Sequence, residues 1–165
     1  MSSSEINIRL LDWNQPLDCQ ALLALTQNYA LHPMGMGKPL PEEIASQLIP
    51  RLQAVPNARV FLAWDGDTPV GMATCFVGFS TFKARELINV HDLAVHSDHQ
   101  GRGIGRKILQ HVQMYAIENG CCAVTLEVRN DNTNARKLYH QLGFKELGDP
   151  LPSDYMLFGK WTAPN

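Results

Sequence analysis

The stretch Leu93-Ala94-Val95-His96-Ser97-Asp98-His99-Gln100-Gly101-Arg102-Gly103-Ile104-Gly105-Arg106-Lys107-Ile108 decides how this chain is read. A β-rich run from Leu87 to Val95 leads into alternating glycines. Beyond them Ile104, Ile108, Val112 and Ala116 recur every four residues, as on one face of a helix that Asn119-Gly120 should end. Glycines admit positive φ and close approach of the main chain, so several N–H groups can converge on one anion. The first turn of the helix adds unpaired donors and the positive end of its dipole. Arg102, Arg106 and Lys107 add formal charge nearby. Taken alone, the turn fits either a polyphosphate cradle or a tight packing corner.

Two other phosphate loops are excluded by spacing. A Walker loop needs Gly-Lys followed by Ser or Thr, and here Gly105-Arg106-Lys107-Ile108 offers no hydroxyl for magnesium. A dinucleotide fingerprint needs G-x-G-x-x-G after the first strand of a repeated strand-helix-strand unit, whereas this G-x-G-x-G lies in mid-chain.

The 165 residues and 45% hydrophobic content fit one domain, 1–165, with a substantial core. A formal charge of -2 argues against a nucleic-acid footprint. No apolar run approaches a membrane span, and Met1-Ser2-Ser3-Ser4-Glu5 lacks the parts of a signal peptide, so the expected compartment is cytoplasmic. Cys19, Cys75, Cys121 and Cys122 form no C-x-x-C pair and read as reduced packing residues; with no H-x-x-x-H pair either, no metal is expected.

Outward from the glycine loop, the order of elements can be read. Ile6 to Leu11 predicts a strand, Leu17 to Leu31 a helix, and Pro41 to about Ala54 a second helix with Ile44, Leu48 and Leu52 as its apolar stripe. Arg59 to Trp64 and Val70 to Phe79 read as antiparallel strands around the Asp65-Gly66 turn. Ala123 to Arg129 returns as a strand after the loop-bearing helix. That order predicts a right-handed crossover with Leu87–Val95 and Ala123–Arg129 parallel. Asn132 caps a helix carrying Ala135, Leu138, Tyr139 and Leu142, stopped by Gly143-Phe144; Tyr155 to Trp161 closes the chain as a strand. The class is α/β, a mixed sheet with helices on its faces.

Ile88-Asn89-Val90-His91-Asp92-Leu93-Ala94-Val95, then Q-x-x-G-x-G filled by Gln100, Gly103 and Gly105, then Asn132-Thr133-Asn134-Ala135-Arg136-Lys137-Leu138-Tyr139 and Leu142-Gly143-Phe144, follow in one order at close spacing. Together they resemble the GCN5-related N-acetyltransferase (GNAT) family. The resemblance covers residues 87 to 144; the first eighty residues agree only in element order. It implies the family's acyl-CoA N-acyltransferase fold, a central mixed sheet of six to seven strands with helices on both faces. It also implies transfer of an acyl group, usually acetyl, from acetyl-CoA to an amine, without a metal.

The same resemblance implies roles for individual residues. Main-chain amides from Gly101 through Arg106 (Gly101, Arg102, Gly103, Ile104, Gly105, Arg106) would hold the coenzyme diphosphate after Gln100. The strand backbone at Leu93, Ala94 and Val95 would pair with pantetheine as an added strand. Asn132 would touch pantetheine, or act as a plain helix cap. Tyr139 would protonate the departing thiolate, since a phenol is a suitable weak acid, or pack as a core aromatic.

An alkylammonium must lose a proton before it attacks. By strand alternation Asn89, His91 and Leu93 share a face and Asp92 takes the other, so His91 is the first candidate base and Asp92 a structural or substrate-binding group. Hydrogen bonding within the sheet is the other reading of His91. Glu127 interrupts an apolar strand, and its place twelve residues before Tyr139 is the spacing of some ribosomal-protein acetyltransferases of the family, so the resemblance implies it as the second candidate base, with a surface carboxylate or an Arg129 partner as the alternative. The Leu93 N–H would stabilise the tetrahedral oxyanion.

The resemblance implies that His32 to Pro41 and Gly78 to Glu86, with Phe79 and Phe82, line the acceptor site; surface connections with buried aromatic anchors are the other reading. The expected function is acetyl transfer from acetyl-CoA to a primary amine of a small molecule. A protein or peptide amino group as acceptor, and a non-catalytic acyl-CoA sensor, remain open. A homodimer is compatible with the sequence, and no membrane or nucleic-acid partner is expected.

Overall fold

A computed structural model describes residues 5–146 and 155–161, with side chains through Lys145; the polar start at residues 1–4 lies outside the described residues. The strands are β1 (Ile6–Leu10), β2 (Ala58–Asp65), β3 (Thr68–Ser80), β4 (Arg85–Val95), β5 (Ala123–Arg129), β6 (Lys145–Glu146) and β7 (Tyr155–Trp161). The helices are α1 (Pro16–Leu31), α2 (Glu42–Gln53), α3 (Ile104–Glu118) and α4 (Thr133–Gln141). One sheet runs in the order β1-β2-β3-β4-β5-β7-β6.

Local chemistry explains the joints. Asp65 pairs with Thr68 across Gly66, whose φ of 60° suits the tight turn that Asp-Gly favours. β4 and β5 pair in parallel, joined through α3, as the strand-helix-strand order predicts. The Asn132 side chain accepts from the Ala135 N–H and starts α4. Gly143 (φ 80°) ends it, with Gly143 N–H donating to His140 O and Phe144 N–H to Tyr139 O. β6 is two residues long, too short for alternation to reveal, and β7 inserts between it and β5.

Strand alternation divides the core into two layers. Phe61 and Ala63 of β2 pack with Ile104, Ile108, Leu109, Val112 and Ala116 of α3. Val60 and Leu62 pack on the opposite face with Ala21, Leu22 and Leu25 of α1. Gly71 lets α3 sit close: a Cβ there would lie 2.9 Å from Ile108 Cδ1 and 3.1 Å from Ala94 O. The expected stripe on α2 is not buried, and Ile44 is half exposed. Among the described residues no helix is long and apolar enough to cross a membrane.

One ion pair joins β1 to α1. Arg9 donates to both oxygens of Asp18, at 2.5 and 2.7 Å, and the Asp12 N–H donates to Asp18 Oδ2 at 2.9 Å. Asp18 is 1% exposed, so its charge requires these partners. The Arg9 hydrogen bond, ahead of the opposing cost of burial, lowers the carboxyl pKa. A lowered carboxyl contributes stability above its unfolded pKa and loses it as pH falls through the folded value. Because Arg9 is 43% exposed, water screens part of the attraction. Asp18→Asn is therefore expected to cost about 1–2 kcal/mol near neutral pH. Urea unfolding should show that loss shrinking in acid, where the parent carboxyl is protonated as well.

Candidate active site

β4 and β5 part company halfway along. Their ladder is Ile88↔Val124, Asn89↔Thr125 and Val90↔Leu126, and it stops there although the strands run on to Val95 and Arg129. At the same level β4 shifts register against β3: Cys75 opposes Val90 and Thr74 opposes Asp92, leaving His91 as an extra residue, a β-bulge. The bulge exchanges the faces of β4. Ile88 and Val90 belong to the α3 layer before it; after it Leu93 and Val95 pack on that layer, and Ala94 joins the α1 layer.

Main-chain directions follow. The His96 N–H donates to Val70 O at 2.9 Å, so residue 96 faces β3. Alternation then turns the N–H and C=O of Leu93 and Val95 away from β3, toward the gap. Gln100 Nε2 donates to Val95 O at 3.3 Å and braces this end of the strand.

The loop at the mouth of the gap has Gly101 and Gly103 left-handed, at φ 77° and 74°. α3 begins beyond it, with Lys107 N–H donating to Gly103 O, so the amides of Ile104, Gly105 and Arg106 lack acceptors within the helix. These amides and the helix dipole suit an anion. Arg106 reaches Gln141 of α4.

Gap and loop are parts of one cleft of about 1060 Å³. Its far wall is Tyr29 with the loop at His32, Met34, Gly35 and Met36. That loop is folded on α1: Met36 N–H and Lys38 N–H both donate to Ala30 O, at 3.1 and 3.2 Å. On the α3 side Tyr139 is buried and tilts against Phe144 at 5.9 Å. Burial, with a smaller contribution from Tyr29, pushes its phenol up to about 12, so it is protonated at neutral pH. Burial also raises the Asp92 carboxyl, against the opposing influence of His91. Among the described residues no group of three His, Cys, Asp or Glu side chains is arranged to hold a metal ion.

A family model described as the acetyltransferase (GNAT) family matches residues 25–144. The chain belongs to that family. A bovine thialysine N-epsilon-acetyltransferase is 35% identical over 82 residues, 50% of this chain and 48% of the relative. A streptothricin acetyltransferase of Streptomyces lavendulae is 35% identical over 94 residues, 56% and 47% of the two chains. The chain thus spans about half the length of these curated relatives. The yncA protein of Salmonella typhimurium, solved with its cofactor acetyl-CoA, shares the fold at a TM-score of 0.75 and 18% identity, covering 97% of this chain and 95% of that one.

Of the residues singled out in the sequence, Leu93, Ala94, Val95, Gln100, Gly101, Gly103, Ile104, Gly105, Arg106, Asn132, His91, Glu127 and Tyr139 all line the cleft. Arg102 does not: it turns outward to Asp65 and His99. Three further readings are corrected. The bulge takes His91 off the face of Leu93 and brings it onto that of Asp92, beside Phe76 at 5.6 Å. Arg129 pairs with Asp131 rather than with Glu127. Gly78 to Glu86 lies off the cleft, at the far end of the long β3–β4 hairpin, with Phe79 and Phe82 exposed. The sequence reading missed Tyr29 of α1; Asp92, expected as a structural or substrate-binding group, lines the cleft.

Glycine geometry yields a paired test of this layout. A Cβ on Gly35 would overlap the Tyr29 carbonyl, so the loop after α1 could not keep its place. A Cβ on Gly105 meets Val95 at 3.7 Å and Leu138 at 3.8 Å, ordinary contacts within a helix. Thermal unfolding should therefore show Gly35→Ala destabilised and Gly105→Ala stabilised by about 0.5–1 kcal/mol.

Proposed function

We propose that this chain transfers an acetyl group from acetyl-CoA to the primary amine of a small molecule by direct attack on the thioester. The observation carrying this reading is the gap beside Leu93 and Val95, whose main-chain groups match an extended amide-bearing arm, opening next to a glycine turn suited to its diphosphate. The small-molecule acceptor is supported by the bovine and Streptomyces relatives, whose names record thialysine and streptothricin. It is also supported by the cleft wall at Tyr29 and Met34–Met36, which lines the same cleft as Leu93 and Tyr139.

In this reading the Leu93 N–H, fixed and facing the gap, stabilises the oxyanion of the tetrahedral intermediate; such a donor is typically worth about 3 kcal/mol. Tyr139 gives its proton to the departing CoA thiolate. A phenol raised to about 12 is a weak donor to a thiolate in water. In the same dry site, however, the thiolate gains basicity by the desolvation that raises the buried Cys75 thiol. His91, with Asp92 beside it on the bulge, takes the ammonium proton, and the burial that raises the Asp92 carboxyl makes it a better proton acceptor than an exposed carboxylate. Glu127, across the gap, attracts the cation before it is deprotonated.

Thiol release from acetyl-CoA over a panel of small amines tests the reading. At least one amine should drive it; coenzyme binding without release across the panel would instead mean a sensor. With that amine, Tyr139→Phe should lower kcat about a hundredfold while coenzyme affinity stays within about twofold. Unchanged turnover would remove Tyr139 as the acid. Asp92→Asn should lower kcat, whereas Glu127→Gln should raise the amine KM and leave kcat nearly intact. Gly103→Val, which forces a β-branched residue to φ 74°, should weaken CoA binding in calorimetry; equal dissociation constants would count against the loop.

A further inference from the structure

Arg102 sits between two left-handed glycines, in the part of the loop with the greatest conformational freedom. Its guanidinium points out of the cleft. Nη2 donates to Asp65 Oδ2 at 2.8 Å, and Nη1 lies 2.8 Å from His99 Nδ1, which accepts when the ring proton is on Nε2. Asp65 is 37 positions earlier in the chain, at the end of β2, where the tight turn into β3 begins. Its side chain is 16% exposed, while that of Arg102 is 41% exposed. The other shoulder of the loop is tied as well: Asn28 of α1 accepts from Ser97 N–H at 3.2 Å and donates to Ser97 Oγ at 3.3 Å.

We propose that Asp65, acting through Arg102, is a positioning residue for the diphosphate-binding loop. The inference rests on the coenzyme reading above. The loop binds an anion with main-chain amides, so its affinity depends on those amides already converging. With Arg102 held at the β2–β3 turn, the peptide planes on either side of it are fixed between two glycines that would otherwise sample many orientations. The alternative use of Arg102, as a cation laid directly on phosphate, predicts the opposite sign. Asp65 would then compete with the coenzyme for the guanidinium, and removing its charge would tighten binding.

Calorimetric titration with CoA separates the two. The proteins needed are the parent, Asp65→Asn, Asp65→Glu, Arg102→Gln and the Asp65→Asn/Arg102→Gln double variant, with an unfolding midpoint for each. Asp65→Asn should weaken CoA about three- to fivefold, as expected for an exposed charge pair, with its midpoint nearly unchanged. Asp65→Glu should recover much of the affinity, and the double variant should bind no more weakly than the weaker single one. Unchanged or tighter binding by Asp65→Asn overturns the proposal. So do additive losses in the double variant, or an affinity loss that tracks a lowered midpoint and is not recovered by Asp65→Glu. A parent protein that does not bind CoA at all would overturn the coenzyme reading and this proposal with it.

Discussion

From Leu93 to Val95 the main chain of β4 is bonded to β3 on one side and faces a gap on the other. Unpaired peptide groups in the middle of a sheet are costly unless water or a ligand meets them, and a strand edge is a template for whatever can extend alongside. Two features create that edge. The bulge at His91 bends β4 away, and β5 continues along β7, with Glu127↔Leu157 and Arg129↔Tyr155 in register. The rest of the site is arranged around the opening: α3 and its glycine turn at one end, Tyr139 on one face, and Asp92, Glu127 and the α1 loop on the other.

The division of faces also divides the chemistry. On the α3 face the surroundings are apolar, with Leu93, Val95, Leu138 and Phe144 in the same cluster as Tyr139. Burial there disfavours ionisation of the phenol and keeps it protonated at neutral pH. On the α1 face Asp92 feels the charge of His91, and Glu127 and Tyr29 line the same cleft. A thioester threaded through the gap would present its sulfur to the first set of groups and its carbonyl carbon to an amine held by the second.

Much of this was legible in the sequence, and the exceptions share a cause. Alternating glycines ahead of a four-residue repeat, Asp-Gly between two β-rich runs, and Asn132 with Gly143 at either end of a short helix are all local signals, and each element formed where its signal lay. The bulge left no mark on β4 alone, because inserting His91 is visible only against β3; plain alternation therefore put His91 with Leu93 and set Asp92 apart. The outward course of the Arg102 side chain was hidden because its partner Asp65 lies far off in the chain. Tyr29 and the placement of Phe82 likewise depended on how whole elements pack. The motif residues could be placed along one cleft because their sequence signals are local, and their relative orientation was missed where it is a property of two strands at once.

The crystal structure of the protein with CoA tests the central claim most directly. Extended pantetheine should lie in the gap, its amides within hydrogen-bonding distance of the Leu93 and Val95 main chain, with the diphosphate on the amides between Gly101 and Arg106. CoA bound elsewhere, with β4 and β5 closed on each other beyond Val90 and Leu126, would contradict the account.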